Sequence, residues 1–487
     1  MSISTFQQPI ASTARHIPAV LVCLCVYCGG FGVYSALQPL RVAANVQIFL
    51  AAQVLHSIMG FVLLLLLWQK RSESLVQKYF VQSGFWFALL FVISRAFVFP
   101  IQPWLSDDVW RYLWDGELLA SGINPYIYPP SSVELTAFRS SHTDLYVLLD
   151  YRNYSTIYPP LAQYAFAFCA RIGAVFGESF WGALWVWKSV LVLSEAAGLW
   201  LVWKALQAWK QSAIWLWAYL CLPLTALESC GQAHVDGLLL APLGWLVFLL
   251  ARRKYVLATL PIVLAGAIKI LPIVLVLPLV RLDTVRGGKR LPKYVLMMFC
   301  VVVGSLVLWL PLFFHPKAWE IYRYHAVFTT TAFQFNGGVY YALCYCCEAF
   351  RIENFWLFTP SVLAWMRLVT ILSIGLLLLR NDNNDSRIVH ILLATFSAAL
   401  LIAAKVHTWY FLPLLLLNSA VGWKWLYVLA SGSMLSYAFY AVSPSGEQYW
   451  LEMAVWGLAL CFFVCGDWLK KGIVLPKNLS THRFFVC

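Results

Sequence analysis

The chain has 487 residues, of which 62% are hydrophobic and only 11% are charged. A soluble globular chain carries about 25% charged residues, so this composition excludes a soluble Rossmann enzyme, a nucleic-acid-binding module and a disordered tail. It predicts a polytopic membrane protein. The net charge of +13 is typical of basic cytoplasmic loops beside anionic lipid, and we expect membrane lipids but no nucleic acid as a partner.

Apolar runs predict the membrane-spanning helices, because a span needs about 20 apolar residues. Such runs lie near residues 17–38, 46–69, 82–100, 181–203, 211–228, 236–251, 294–314, 360–379, 388–404, 408–422, 425–441 and 449–468. The sequence therefore predicts an all-α fold of about 12 full transmembrane helices with no large soluble domain. The first run follows Arg15 without a clear cleavage site, which indicates a signal anchor.

Basic residues indicate how these spans are oriented. They cluster at 70–78, 204–210, 252–254, 281–293 and 470–483. Basic loops favour the cytoplasmic side, so we expect both termini there.

Two segments do not fit this orientation as simple spans. We expect residues 158–177 to form an interfacial helix on the outer side. Residues 255–280 have basic loops at both ends, so two half-helices meeting at Lys269, next to Pro272, are predicted. A lysine at that depth is costly and indicates a functional site.

The outer loop 101–160 holds 7 of the 21 acidic residues. Asp107 and Asp108 follow a predicted span, where an acid could cap the next helix. Alternatively, a carboxylate at the rim of a cavity could take a proton from a sugar hydroxyl. We assign Asp108 as this catalytic base, with Asp107 beside it. We expect Asp115 and Glu117 on the wet face of a short amphipathic helix.

Positive side chains are expected at the same outer face. We assign Lys269, Lys405, Arg323 and His325 to binding of a donor phosphate. Each has a simpler interpretation. Arg323 and His325 could be exposed loop charges, Lys405 could snorkel to the interface, and Lys269 could pair with an acid such as Glu228 or Asp236.

Further candidates for substrate binding lie in the other outer segments. His234 and Asp236 share a polar turn, in which Asp236 could instead cap a helix. Tyr126 and Tyr158 lie near proline pairs and could wall a groove, and His407 follows Lys405 at an outer membrane face. We assign these five residues to substrate binding.

Other signals favour structure over chemistry. Lys188 and Glu195 lie two turns apart on one helix face, and we expect them to pair with each other. The cysteines lie mostly in apolar runs without nearby ligands, which is typical of small buried residues. No phosphate-binding loop or metalloprotease motif is present. The sequence requires no cofactor, and a divalent cation at the acid pair has no ligand motif to support it.

Six short motifs occur in an order typical of one superfamily. They read SDDVWRYLWDGELLASGINPY, IYPPLAQ, HVDG, AGAIKILP, YRYH followed by FNGGVYY, and AAKVHTWYFLP. In this order the chain resembles the GT-C membrane glycosyltransferases over about residues 100–425. It is most similar to the branch that contains the catalytic subunit of GPI mannosyltransferase I and the bacterial polyprenol-phosphate-mannose-dependent mannosyltransferases.

The resemblance implies a dolichyl- or polyprenyl-phosphate sugar donor, with mannose as the sugar, and an inverting transfer to a lipid or glycan acceptor. The Asp-x-Asp of the GPI branch reads Ser106-Asp107-Asp108 here, so only Asp108 matches its second acid. Asp236, Lys269 and Lys405 match other positions of the family.

The same resemblance implies a location and a domain organisation. We expect the bacterial inner membrane, or the endoplasmic reticulum membrane in a eukaryote, with the active site on the periplasmic or lumenal side. We also expect a single GT-C-like domain over 1–487, made of N-terminal spans (1–100), an acidic catalytic loop (101–160) and the remaining spans (161–487).

A transporter or flippase of lipid-linked sugars is the alternative function, since it would also carry buried lysines and broken helices. Such a transporter would not need an acid-rich loop directly after a span, and no inverted repeat is evident. An accessory scaffold without activity would leave Lys269 unexplained.

Overall fold

In the computed structural model the described part of the chain is helical. It comprises residues 16–37, 43–68, 81, 84–177, 180–279, 291–331, 335–352, 359–379, 387–441 and 449–468. Within these residues no β-strand occurs, and the only extended pairing consists of two isolated bridges, from Phe335 and from Asn336 to Lys405. The basic segments 70–78, 281–290 and 470–483 lie outside the described residues, as does Arg15. The all-α class is therefore confirmed.

The α-helices of the described residues are numbered in chain order. They are α1 (His16–Ala36), α2 (Ala43–Leu67), α3 (Gly84–Val98), α4 (Asp108–Ala120), α5 (Thr136–Ser141), α6 (Thr143–Val147), α7 (Pro160–Gly173), α8 (Phe180–Trp209), α9 (Ile214–Leu220), α10 (Pro223–Ala226), α11 (Leu240–Ala251), α12 (Thr259–Ile268), α13 (Leu291–Phe313), α14 (Pro316–Thr331), α15 (Gly338–Ala349), α16 (Thr359–Leu379), α17 (Arg387–Leu401), α18 (Phe411–Asn418), α19 (Lys424–Ser433) and α20 (Tyr449–Cys461).

Short 3-10 or π-helical turns extend or link several of these helices. They are Val133–Leu135, Ala174–Phe176, Leu227–Gly231, Val235–Leu239, Leu271–Leu275, Thr408–Tyr410, Met434–Ala441 and Phe462–Trp468.

Three described helices are long and apolar enough to cross a membrane by length and composition, namely α1, α2 and α8. A fourth span results if α9 and the segment Pro223–Gly231 count together. Nine further apolar helical segments of 10–17 residues lie in the described chain. These helices are those of a membrane protein.

Two apolar segments, one of them a predicted span, are broken in the structure. The run 211–228, predicted as a single span, bends by 65° between α9 and Pro223–Gly231. A proline begins the second half, and proline cannot continue a helix through its own position. The predicted break at Lys269 is confirmed, because α12 ends at Ile268 and Lys269 has an extended backbone with φ −150° and ψ 130°. A helical turn then resumes at Leu271.

Glycines allow the helices around the acidic loop to pack backbone against backbone. A Cβ at Gly116 of α4 would lie 2.6 Å from the carbonyl oxygen of Phe166 in α7. A Cβ at Gly244 of α11 would lie 2.4 Å from the carbonyl oxygen of Gly198 in α8. Small residues permit such close approach between apolar helices. The helix α4 of the acidic loop is therefore packed directly against α7.

The expected pair of Lys188 and Glu195 is wrong. Glu195 instead accepts hydrogen bonds from the buried guanidinium of Arg95, with Nε at 3.2 Å, and from the Tyr219 hydroxyl at 2.7 Å. The Lys188 ammonium donates to the backbone carbonyl of Phe99 at 2.9 Å. Helix α8 thus uses these two charged residues to hold the end of α3 and the start of the acidic loop.

Candidate active site

Asp108 is the first residue of α4, and it is half-buried. The preceding Asp107 occupies the N-cap position, but its side chain makes no capping hydrogen bond. The Asp108 backbone N–H donates to the Ser106 hydroxyl at 3.3 Å. The Asp108 carboxylate accepts from the Tyr112 hydroxyl one turn later, at 3.4 Å. The Asp108 carboxylate therefore lies at the start of α4, held by a long hydrogen bond.

Tyr112, which bonds this carboxylate, is itself held by two aromatic rings. Its ring stacks on Phe166 of α7 at a centroid distance of 4.8 Å and meets the edge of Tyr158 at 4.9 Å. Burial and the neighbouring charge of Asp108 raise the pKa of Tyr158 well above its usual value. The backbone carbonyl of Tyr158 accepts from the Tyr126 hydroxyl at 2.9 Å. Tyr158 thus lies beside the contact of Tyr112 with Asp108, and Tyr126 is hydrogen-bonded to the Tyr158 backbone.

The lysine of the broken segment pairs with an acid of the turn Val235–Leu239. Lys269 donates from Nζ to both carboxylate oxygens of Asp236, at 2.8 and 2.9 Å. Asp236 is buried, whereas the Lys269 side chain is 26% exposed. The ammonium also lies 3.6 Å from the ring centroid of Tyr410. The interpretation of Asp236 as a helix cap is therefore wrong. The structure shows the simpler of the two interpretations of Lys269, in which it pairs with an acid.

Lys405 brings a second positive charge to this pair. It lies between α17 and the turn Thr408–Tyr410, where its backbone bridges to Phe335 and Asn336. Burial lowers its pKa, and the nearby charge of Asp108 partly opposes that shift, while the charge of Lys269 lowers it further. The charge of Asp108 also interacts with the charges of Asp236 and Lys269.

Four predicted site residues are consequently close enough to interact through their charges. These are Asp108, Asp236, Lys269 and Lys405, which we call the charge cluster. Its two acids and two lysines balance to no net charge. Asp236 and Lys269 form its buried ion pair, whereas Asp108 and Lys405 are both half-buried and interact through charge with each other.

His234 and His407 belong to an aromatic stack next to the charge cluster. The Trp409 ring lies between them, 3.7 Å from His234 and 4.2 Å from His407. Phe335 extends the stack at 5.0 Å from His407. His234 is fully buried, with Nε2 at 3.2 Å from a carboxylate oxygen of Glu228. Burial and the neighbouring lysines hold the pKa of His407 well below its usual value.

The other two predicted phosphate ligands lie on α14. His325 is buried, and its Nδ1 accepts from the Ser155 backbone N–H at 3.1 Å and pairs with the Ser155 hydroxyl at 2.8 Å. Its pKa is lowered by burial and by the charge of Arg111. Arg323 is exposed. His325 therefore fastens α14 to the acidic loop, rather than being an exposed loop charge.

Asp115 is not on a wet face. It is fully buried, with Arg111 Nε at 2.8 Å from one carboxylate oxygen and Gln163 Nε2 at 3.2 Å from the other. Arg111 also donates to the backbone carbonyl of Tyr154 at 2.8 Å. Glu117 is half-buried, and burial raises its pKa. The sequence does carry a signal for the ion pair, since Arg111 and Asp115 have the i,i+4 spacing of a helical pair.

The part of the chain that the structure describes contains no group of three or more His, Cys, Asp and Glu side chains placed to hold a metal ion. The family described as alpha-(1->6)-mannopyranosyltransferase, N-terminal domain, matches residues 18–286, which is more than half of the chain. The chain belongs to this family.

Membership of the alpha-(1->6)-mannopyranosyltransferase family identifies the protein as a mannosyltransferase and confirms the GT-C resemblance. The matched range includes the acidic loop, the turn Val235–Leu239 with Asp236 and the break at Lys269, whereas Lys405 and α14 lie beyond it. No curated protein matches the chain.

Proposed function

We propose that the protein transfers mannose from a polyprenyl- or dolichyl-phosphate donor to a lipid or glycan acceptor, with inversion at the anomeric carbon. The observation that carries the proposal is the convergence of Asp108 and Lys405 beside the Lys269–Asp236 pair. The Asp108 carboxylate and the Lys405 ammonium are both partly exposed, so each can contact a bound substrate. A base is needed at the acceptor hydroxyl, and a cation is needed at the leaving phosphate.

In the proposed reaction the acceptor oxygen attacks the anomeric carbon of mannose. Asp108 takes the proton of the acceptor hydroxyl, and the bond between the anomeric carbon and the phosphate oxygen breaks with its electron pair remaining on the phosphate. A phosphate leaving group needs no proton from a general acid, so a single carboxylate is sufficient. Asp107 supports the site through its charge.

The basic residues bind the donor phosphate in different ways. Lys405 binds the phosphate directly, because Asp236 already neutralises Lys269 in the structure without donor. Lys269 turns part of its hydrogen bonding to the phosphate when the donor is present, since its side chain keeps 26% of its surface exposed. Arg323 of α14 is a secondary phosphate ligand. Charge-assisted hydrogen bonds of this kind are about twice as strong as neutral ones. His325, whose pKa is lowered by burial, contributes to the phosphate site as a neutral hydrogen-bond donor.

The remaining candidates are proposed to shape the sugar site. Tyr126 and Tyr158 line the acceptor side next to Asp108, and His407 contributes from within the aromatic stack, between Trp409 and Phe335. His234 acts indirectly through Trp409, against which it is fully buried. Asp236 sets the orientation of Lys269 and thereby contributes to the donor subsite.

We further propose that the chain crosses the membrane about 12 times, with both termini in the cytoplasm and the active site on the periplasmic or lumenal face. In this organisation residues 1–487 form one GT-C-like domain.

The orientation is tested with single cysteines introduced at Ser140 in the acidic loop and at Arg253 after α11, both of which are exposed. A membrane-impermeant thiol reagent applied from outside should add label at position 140 above the wild-type background and none at 253. Equal labelling at both positions would reject this orientation.

The activity itself is tested with membranes that contain the protein and radiolabelled polyprenyl-phosphate mannose. We expect a mannosylated, chloroform-extractable or glycan product that wild-type protein forms and Asp108→Asn does not. A deletion strain should accumulate a glycolipid or glycan one hexose short. Movement of the donor across the membrane without a glycosidic product would favour the flippase function instead.

A further inference from the structure

A buried amide links the two segments that carry the charge cluster. Gln232 is 2% exposed, and its Oε1 accepts hydrogen bonds from the backbone N–H groups of Trp104 at 3.0 Å and Leu105 at 2.9 Å. Gln232 lies four positions before Asp236, and Leu105 lies three positions before Asp108. A single side-chain oxygen thus joins the segment that leads into the turn Val235–Leu239 to the start of the acidic loop.

The two N–H groups need this partner. Residues 101–107 form no helix, and Trp104 and Leu105 are buried. Buried backbone donors outside regular structure must be paired with a side chain or with water to avoid a large desolvation cost. The Gln232 oxygen fulfils this role for two consecutive donors. It thereby fixes the backbone just before the residue assigned as the base.

The backbone of Gln232 is itself held in place. Its N–H donates to the Leu227 carbonyl at 2.6 Å, at the end of a π-helical turn. The next residue, Ala233, has a left-handed φ of +60°, which is uncommon for a residue with a side chain. The Ala233 carbonyl accepts from the Trp187 indole of α8 at 2.9 Å. Local strain of this sort persists only where surrounding contacts determine it.

We propose that Gln232 is a positioning residue that sets the distance between Asp108 and the Lys269–Asp236 pair. It touches neither donor nor acceptor. Its oxygen aligns the base with the phosphate-binding lysines, so the attacking oxygen and the leaving phosphate are held on opposite sides of the anomeric carbon. A misplacement of about 1 Å in such an arrangement can reduce the rate by about a hundredfold. The inference rests on the proposed mannosyl transfer.

The test compares Gln232→Leu with a matched control in another buried amide. Asn418 is fully buried, accepts from the Trp423 backbone N–H at 2.8 Å and donates to the Trp423 carbonyl at 2.9 Å. Both Gln232→Leu and Asn418→Leu should lower the melting temperature in detergent. Only Gln232→Leu should lower kcat, by roughly a hundredfold, with little change in KM for polyprenyl-phosphate mannose. Equal kcat values for the two variants and the wild type would overturn the proposal.

Two further variants keep the proposal testable if Gln232→Leu does not fold. Gln232→Glu retains an oxygen that can accept both hydrogen bonds, and it should keep kcat within about tenfold of the wild type. Gln232→Asn is one methylene shorter, cannot reach both donors, and should lose most of kcat. A wild-type kcat in Gln232→Asn, or a kcat for Gln232→Glu as low as that of Gln232→Asn, would contradict the positioning role.

Asp108→Asn, measured in the same assay, separates this inference from the proposed function. An inactive Asp108→Asn together with an unchanged kcat in the Gln232 variants rejects only the role of Gln232. An active Asp108→Asn rejects the assigned base, and with it any role of Gln232 in aligning that base.

Discussion

The ammonium of Lys269 lies 2.8 and 2.9 Å from the two carboxylate oxygens of Asp236, although the residues are 33 positions apart. The pair joins the break after α12 to the turn before α11. Taking a charge out of water is costly unless a partner compensates it. The protein itself therefore supplies the counter-charge for this lysine.

Removal of one member of this pair should destabilise the protein. Lys269→Met leaves the buried Asp236 carboxylate without its cation, and we expect a loss of about 2–4 kcal/mol, given that the lysine is partly exposed. Thermal melting in detergent without donor measures the loss. The double variant Lys269→Met with Asp236→Leu should recover much of it, because no stranded charge remains. A melting temperature of Lys269→Met equal to that of the wild type would show that the ion pair does not support the fold.

Asp108→Asn should abolish mannosyl transfer while the protein stays folded. The amide has nearly the same shape but cannot accept the proton, and the loss of a general base costs on the order of 10² to 10⁴ in rate. Asp107→Asn is the matched control from the adjacent position and should cost much less. Product formation per folded protein is the measurement. If Asp107→Asn is inactive and Asp108→Asn is active, the base is the neighbouring residue.

Activity should fall on the alkaline side at a lower pH than an ordinary lysine would produce. Burial lowers the pKa of Lys405 from its usual value of 10.5, and the charged form is the one that binds phosphate. The rate should therefore be complete below the lowered pKa and decline as the pH rises through it. Lys405→Arg keeps its charge to higher pH, so the decline should move upward. An identical alkaline limb in both proteins would separate Lys405 from catalysis.

Lys405 should also make stability depend on pH, but in the opposite direction: stability should rise with pH where activity falls. Because the folded protein disfavours the charged form of Lys405, its contribution to stability rises with pH between the lowered pKa and 10.5. Melting temperatures across this range should increase more for the wild type than for Lys405→Met, which has no charge to titrate. A steeper increase for Lys405→Met would contradict the lowered pKa.

Asp115 should be important for stability, although the pattern of its own helix predicts an exposed position. Asp115→Ala leaves Arg111 and Gln163 without their buried partner, and we expect a loss of about 3 kcal/mol. Glu134→Ala, an exposed acid in the same loop, should change stability by no more than about 0.5 kcal/mol. Melting of both variants in detergent gives the comparison. Equal melting temperatures would mean that the buried ion pair contributes nothing net.

The sequence by itself determined the helical class, the break at Lys269 and the membrane character of the chain. Each depends on local composition, since apolar runs predict helices in lipid, and a charge beside a proline predicts a break within such a run. The motifs also indicated the mannosyltransferase family, because catalytic residue types recur at characteristic positions along the chain.

Only the tertiary structure decided which charged residues meet. The partner of Glu195 is Arg95, a hundred positions away, whereas the periodicity of a single helix indicates Lys188. The amphipathic pattern of α4 predicts that Asp115 faces water, but α7 covers that face and supplies Gln163. Gln232 carries no signal in the sequence, because its role depends on two backbone donors more than 120 positions earlier. Ion pairs and buried hydrogen bonds depend on distances in space, and those distances are set by how the helices pack.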